Sequence, residues 1–369
     1  MSSFIPYPEL MDRTLVLAQK GWGGTHPNPM VGCLIEEGGQ VVAEGFHKQA
    51  GGPHAEIVAL QNLGRKPKKG AVLYVSLEPC STTGRTPPCT SAILEAGIEK
   101  VVVCTIDPDP RHAGRGLTLL REHGVDVELA PVEIGKRAER LNFIFNQYRV
   151  TGHPLIALKM AFSANRMVAA RAGYPSRVTG ECARADVMRW RRHFPSICVG
   201  SGTVLADNPS LTARLPDGVW CPVRIVIDST LATLSPTFAP RNLYTDDHAS
   251  RTIVLTTAVG QANHDAVSQA RDYNVRIIEG KNGADGRVAP SALREVLREL
   301  KLCGAYCEGG PALARSLLSA KEVDYIFHYQ SPQIFTSPEA LYGPDFTNLD
   351  IKDLLEVRLG EDTLKHGFL

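Results

Sequence analysis

The chain has 369 residues, enough for two or three domains with substantial cores. Its 40 basic and 39 acidic residues leave a formal net charge of +1, so no net field draws it to nucleic acid or to a membrane surface. No apolar run reaches the roughly 18 residues of a membrane-spanning helix, and MSSFIPYPELMDRTLVLAQK lacks a basic segment followed by an apolar core, so a cytoplasmic protein is expected.

The first predicted element is a helix over ELMDRTLVLAQKG, with Leu10, Leu15, Val16 and Leu17 apolar and a glycine stop. VGCLIEEGGQVVAEGFH reads as a hairpin turning at Gly38-Gly39. GGPHAEIVAL then opens a second helix, with Pro53 tolerated at its start because a missing N–H costs nothing there. The apolar run AVLYVSL (71–77) is a buried strand by length and content, and the loop after it holds Gly84, Pro87 and Pro88. A helix from about Thr90 to Ala96 and the strand KVVVCTI follow.

The patterned segments are interrupted near 147–153, which sets two expected domains, 1–148 and 153–369. In the second, strands are expected over LIALKMA, SICVG, PVRIVID, RTIVLTT, NVRIIEG, GAYCEGG and VDYIFHY, separated by helices and loops. Alternation of this kind implies α/β layers with helices on the sheet faces, and ligands at the carboxyl ends of the strands.

His54 and Glu56 stand two residues apart at a helix start, where both side chains can converge on something off the helix end; in mid-helix they would diverge. A lone H-x-E is as compatible with a half-buried His and a solvated Glu. Downstream, Cys80 follows Glu78-Pro79 at a strand end, and Cys89 comes eight residues later. His54, Cys80 and Cys89 make three zinc-compatible ligands and leave a fourth position for water, whose pKa zinc lowers to about 7. Glu56 is then a proton carrier beside the metal. Zinc deaminases use the same logic in H-x-E followed by P-C-x-x-C, although here the cysteines are farther apart. The other seven cysteines are expected to be buried small hydrophobes in a reduced protein, because nine is an odd number scattered over a long chain.

With these motifs the chain resembles the bifunctional riboflavin-biosynthesis deaminase–reductases over nearly its whole length. The matching stretches are THPNPMVGC, GGPHAE, LEPCSTTGRTPPC and DPDPRHAGRG in the first half, and LKMAFS, GTVLADNPSLTAR and EGGPAL in the second. The resemblance implies a cytidine-deaminase-like α/β/α domain followed by a dihydrofolate-reductase-like α/β domain. It implies Zn2+ on His54, Cys80 and Cys89, with Glu56 as the catalytic proton carrier. The implied substrate is a 2,5-diamino-pyrimidinone bearing a phosphoribosylamino group, with Asn28, His47 and Arg85 as contacts on the deaminase side.

For the reductase half the resemblance implies NADPH against Ala161, Thr203, Asp207, Gly309 and Gly310, and substrate against Arg191, Arg214 and Glu308. No G-x-G-x-x-G follows a strand, so no Rossmann fingerprint supports this half. Lys159 reads either as an edge charge or as a site residue. NADPH is expected over NADH because arginines cluster around 166–192. A homo-oligomer, dimer or tetramer, is expected, with no nucleic-acid or membrane partner.

The chain departs from the family at two points. Ser163-Ala164-Asn165-Arg166 stands where S-L-D-G is usual, and Arg177 where a tryptophan is usual. A glycine replaced by arginine matters if the backbone there has positive φ. The alternative reading is therefore a deaminase whose second half is a degenerate module for binding or dimerisation.

Overall fold

The computed structural model describes residues 7–83, 87–346 and 348–369. The chain divides into two compact units, Met1–Gly152 and His153–Leu369.

In the first unit, helix α1 (Tyr7–Gln19) precedes the hairpin β1 (Gly32–Glu37) and β2 (Gln40–Phe46). Then come α2 (Ala55–Leu63), β3 (Val72–Val75), α3 (Cys89–Ala96), β4 (Lys100–Val103), α4 (Arg115–Glu122), β5 (Asp126–Leu129), α5 (Val132–Leu141) and α6 (Phe143–Thr151). The sheet order is β2-β1-β3-β4-β5, antiparallel through β1 and parallel from β3 to β5.

Strand alternation explains the layers. Cys33, Ile35, Leu73, Val75, Val101 and Val103 face one way and pack with Ala55, Ala59, Ile93, Leu117 and Leu120 of α2, α3 and α4. Leu34, Tyr74 and Val102 face the other way and pack with Leu10, Met11, Leu15 and Leu17 of α1 and with Ile134 and Ala138 of α5. The result is the α/β/α arrangement expected. The elements from α4 to α6 were not legible as separate segments in the sequence.

The second unit is built on a nine-stranded sheet of order β13-β12-β11-β8-β14-β6-β15-β18-β17. Its strands begin with β6 (Leu155–Phe162); after the short β7 (Met167–Ala169) and helix α7 (Glu181–His193) comes β8 (Ser196–Gly200), then helix α8 (Ser201–Asp207). The ribbon β9 (Ala213–Leu215) and β10 (Gly218–Trp220) leads to β11 (Val223–Ile227) and the one-turn α9 (Asn242–Thr245). Next are β12 (Thr252–Thr256), α10 (Ala258–Gln261), α11 (His264–Asp272), β13 (Arg276–Glu279), α12 (Pro290–Glu299), β14 (Gly304–Cys307) and α13 (Pro311–Ser319). The last strands are β15 (Tyr325–Gln330), β16 (Leu341–Tyr342), which pairs with β7, and β17 (Lys352–Leu359) with β18 (Asp362–Phe368).

The seven expected strands are all present, and β17 and β18 add an antiparallel hairpin beyond them. Strand β14 returns late in the chain to lie between β6 and β8. A crevice at carboxyl ends is expected where a parallel sheet reverses its order in this way. Among the described residues no helix is long and apolar enough to cross a membrane.

The departure at Arg166 has a backbone consequence. Ser163 to Arg166 form the turn from β6 to β7, closed by Arg166 N–H donating to Ser163 O at 2.9 Å, and Arg166 has φ +65°. Its side chain is exposed, so no packing offsets the left-handed backbone. That backbone costs a non-glycine residue about 1–2 kcal/mol, less glycine's entropic penalty of about 0.5–1 kcal/mol. Arg166→Gly is expected to stabilise the chain by about 1 kcal/mol, and to raise its Tm by roughly 2–4 °C in a thermal melt. An unchanged or lower Tm would show that the turn is not strained.

Candidate active site

The start of α2 explains why His54 is free to act. Its backbone is extended, with φ −73° and ψ 162°, and it caps the helix without using its side chain. The ring is therefore left for other partners, while Ala55 and Glu56 begin the buried face of α2. Its Nδ1 lies 3.2 Å from Cys89 Sγ and 3.5 Å from Cys80 Sγ. Cys80 follows the end of β3, and Cys89 is the first residue of α3. The Cys89 backbone N–H donates to Cys80 Sγ at 3.3 Å, so this thiol occupies the N-terminus of α3, where a negative charge is favoured.

The three ligand atoms all lie within 4.8 Å of one another, as a group able to hold a metal ion. Ligands about 2.0–2.3 Å from one tetrahedral ion stand roughly 3.6 Å apart, so the donor set and its spacing both fit zinc. The two thiols share a proton: the hydrogen bond with Cys89 pulls Cys80 down to about 4, while the same bond pushes Cys89 up. The hydrogen bond to Cys80 likewise raises His54.

Glu56 is 3% exposed, and burial raises its carboxyl to about 7. A carboxyl poised there can accept and release a proton at neutral pH. His47 is buried beside this group, its ring 5.4 Å from that of His54. Its Nδ1–H donates to Pro53 O at 2.9 Å, and its Nε2 accepts from the Asn28 amide at 3.3 Å. Burial lowers the His47 pKa, which suits the neutral ring this pattern requires. Asn28 and His47 thus join the His54 group, whereas Arg85 lies outside the described residues.

Two anchors were missed in the sequence. Glu78 is buried at the end of β3, and its carboxylate accepts from the backbone N–H groups of Asp107 (3.1 Å), Gly114 (2.9 Å) and Gly116 (2.8 Å). It ties the DPDPRHAGRG loop to the segment that carries Cys80. Gly116 permits the approach, because a Cβ there would stand 2.1 Å from Pro79 O. The second anchor is Asn142, whose amide pairs with both backbone groups of Met30 at 2.8 and 2.9 Å and so fixes the loop of Asn28. The E-P-C motif was a signal for the first anchor; a partner 112 residues away gave none for the second.

In the second unit, loops at the carboxyl ends of β6, β8 and β14 converge. Gly310 N–H donates to Thr203 Oγ1 at 3.2 Å, joining the starts of α8 and α13. A Cβ on Gly309 would meet Leu313 at 2.7 Å, so the backbone here is as tight as the E-G-G motif suggested. A helix start beside a glycine backbone is the kind of place where proteins bind phosphate. Asp207 is exposed at the end of α8, and Ala161 is half-buried on β6.

Arg191 does not extend toward solvent. Its Nε and Nη2 donate to the two oxygens of Glu308 at 2.6 and 3.1 Å, and Nη1 donates to Thr212 O at 3.0 Å. Arg214 on β9 is exposed. Lys159 sits on central β6 rather than at an edge, 3.8 Å from Glu308 and 5.6 Å from the Tyr329 ring centre. Tyr329 and Trp190 both donate to Asp186, at 2.8 and 3.0 Å. Arg177 is exposed and supplies no replacement for an aromatic wall. One cysteine expectation is corrected: Cys182 is exposed, while Cys33, Cys104, Cys198, Cys221, Cys303 and Cys307 are buried, and all nine thiols are free. Cys182 is near the start of amphipathic α7, where the first turn is solvated.

Comparison with known proteins covers both units. Residues 7–105 match the cytidine and deoxycytidylate deaminase zinc-binding region, and residues 154–364 match the RibD C-terminal domain. The chain is 36% identical to the riboflavin biosynthesis protein RibD of Bacillus amyloliquefaciens, over 92% of this chain and 89% of the relative. It is 37% identical to that of Escherichia coli K12, over 89% and 88%. Among solved structures, the Thermotoga maritima deaminase/reductase superposes with a TM-score of 0.79 at 30% identity, covering 98% of this chain and 97% of that one. The Acinetobacter baumannii RibD structure gives 0.78 at 29% identity, covering 97% of each.

Proposed function

Because the chain belongs to the family of bifunctional riboflavin-biosynthesis deaminase–reductases, with a zinc-binding deaminase domain and a reductase domain, we propose the following residue assignments for its two chemistries. The first domain, 1–148, hydrolytically deaminates 2,5-diamino-6-(5-phosphoribosylamino)pyrimidin-4-one. The second, 153–369, reduces the ribosyl group of the product to a ribityl chain. The observation that carries this reading is the grouping of His54, Cys80 and Cys89 beside a buried Glu56 poised near neutrality.

His54, Cys80 and Cys89 would hold zinc, which when bound supplies a Lewis acid that activates water. Glu56 takes a proton from the attacking water and delivers it to the ring nitrogen, then takes a second proton from the added hydroxyl and delivers it to the departing amine. Asn28 and the neutral His47 orient the pyrimidine, with Arg85 as a further substrate contact. The C–O bond forms as the adjacent ring C=N gives its electron pair to the nitrogen; the C–N bond to the amine then breaks as the added hydroxyl becomes the carbonyl, and ammonia leaves.

In the reductase domain, Ala161, Thr203, Asp207, Gly309 and Gly310 would hold NADPH, which supplies the hydride. The Arg191–Glu308 pair and Arg214 face the phosphoribosyl group, with Arg214 offering the exposed guanidinium for phosphate. The reading places the protein in the cytoplasm, where nine free thiols are at home. It also has the chain self-associate, as a dimer or tetramer.

The reductase assignment is tested by titrating the chain with NADPH and following tryptophan fluorescence, since Trp190 lies in the Asp186–Tyr329 group of this unit. Saturable quenching that weakens with added salt is expected, because exposed arginine–phosphate attraction is screened. Absence of binding at millimolar NADPH would leave a deaminase with a degenerate second domain.

A further inference from the structure

Lys159 stands beside the second unit's proposed substrate residues with its hydrogen-bonding capacity unused. It is half-buried on central β6, and an ammonium carries three N–H donors. Glu308 Oε2 is 3.8 Å away, past hydrogen-bond reach, and both Glu308 oxygens already accept from Arg191 at 2.6 and 3.1 Å. Among the described residues Lys159 Nζ has no hydrogen bond of its own, which leaves its donors for a ligand at the carboxyl end of β6. A cation removed from water in this way needs another support.

That support is an aromatic face. Strands β6 and β15 pair in parallel with Lys159 opposite Phe327 and Ala161 opposite Tyr329, so these side chains share one face of the sheet. The Tyr329 ring centre is 5.6 Å from Lys159 Nζ, within the range of a cation–π contact. Burial disfavours the ammonium and lowers its pKa; Glu308 and the ring face both act against that loss.

Tyr329 is fixed from its far side. The residue is fully buried, and its hydroxyl donates to Asp186 Oδ2 of α7 at 2.8 Å. The same oxygen accepts Trp190 Nε1–H, one turn along the helix, at 3.0 Å, so α7 itself orients the carboxylate. Trp190 also packs on Phe327, with ring centres 4.7 Å apart. A phenol donating to a carboxylate carries more electron density in its ring, which strengthens its hold on a cation. A phenylalanine would keep the ring face without the tie to α7.

We infer that Tyr329, fixed by Asp186, is a positioning residue of the reduction, whose ring face holds the Lys159 ammonium beside Glu308 with its N–H donors directed to the ribosyl group. This rests on the substrate placement proposed above, against Arg191 and Glu308. It adds two residues, Tyr329 and Asp186, that act only through Lys159.

For the test, the zinc-loaded full chain is given the diaminopyrimidinone without NADPH until ammonium release is complete. NADPH is then added and its oxidation followed in single turnover. Tyr329→Leu is expected to slow this oxidation about tenfold, within what a partly desolvated cation–π contact is worth. Tyr329→Phe, which keeps the ring, should slow it by about threefold or less. Ammonium release and the NADPH dissociation constant, read from the cofactor's own fluorescence, should stay as in the unaltered chain. Circular dichroism checks that each variant folds. In a Lys159→Met chain, adding Tyr329→Leu should slow oxidation by less than about twofold, because residues that act through one another are not additive. Asp186→Ala makes the same test without a core cavity: about threefold slower oxidation, absent when Lys159 is already methionine.

A Tyr329→Leu chain as fast as the unaltered one, a Tyr329→Phe chain as slow as Tyr329→Leu, or losses that add in full to that of Lys159→Met would each overturn the inference alone. No NADPH oxidation by the unaltered chain would overturn the reductase reading beneath it, and the inference with it.

Discussion

Glu56→Gln is expected to leave zinc bound while lowering deamination between about a hundredfold and ten-thousandfold. The amide keeps the shape of the carboxyl but cannot carry protons, one to the ring nitrogen and a second to the departing amine. Glu56 is no part of the three-residue ligand group, so the metal content should not change. Burial favours the uncharged amide here, since the native carboxyl is held near 7 by desolvation. The variant should therefore fold at least as well as the parent. Elemental analysis and an ammonium-release assay on one preparation separate the two effects. Near-normal turnover in a zinc-replete variant would remove Glu56 from the proton path.

Cys80→Ser is expected to abolish both metal and deamination. A serine hydroxyl is a poor zinc ligand beside a thiolate, and the change leaves two of three donors. It also removes the anion that accepts the Cys89 N–H at the start of α3, so this helix should fray at its first turn. Zinc should fall from about one per chain to a small fraction of that. NADPH binding should persist, because its proposed residues all belong to the second unit. A variant that kept one zinc per chain and turned over normally would exclude Cys80 from the ligand set.

What the sequence made legible, and what it hid, follows from the range of each interaction. His54 and Glu56 were legible because a helix start and a two-residue spacing are local. Cys80 and Cys89 were legible because a strand end and the next helix start bracket a proline-rich loop. The seven long strands of the second unit announced themselves as apolar runs, since a parallel sheet is buried on both faces. The β17–β18 hairpin did not, because β17 is exposed along most of its length and reads as a polar tail.

The clamps at Glu78 and Asn142 depend on partners brought close only by the fold. The bidentate bond between Arg191 and Glu308, 117 residues apart, was hidden for the same reason. The arginines near residue 166 looked like one basic cluster; in the fold Arg191 is held by Glu308, Arg192 is paired with Asp217, and Arg166 and Arg177 are exposed. Arg166 shows the opposite case: a glycine-type position was suspected from the motif alone, and its backbone is left-handed.

The central claim is that one chain performs two reactions in a fixed order. It is tested most directly by giving the zinc-loaded full chain the diaminopyrimidinone substrate, with and without NADPH, and following ammonium release and NADPH oxidation together. Ammonium should appear whether or not NADPH is present. With it, NADPH absorbance should fall only after a lag, and by one NADPH for each ammonium. Ammonium without NADPH oxidation would contradict the claim and leave a deaminase alone; NADPH oxidation that precedes ammonium would reverse the order.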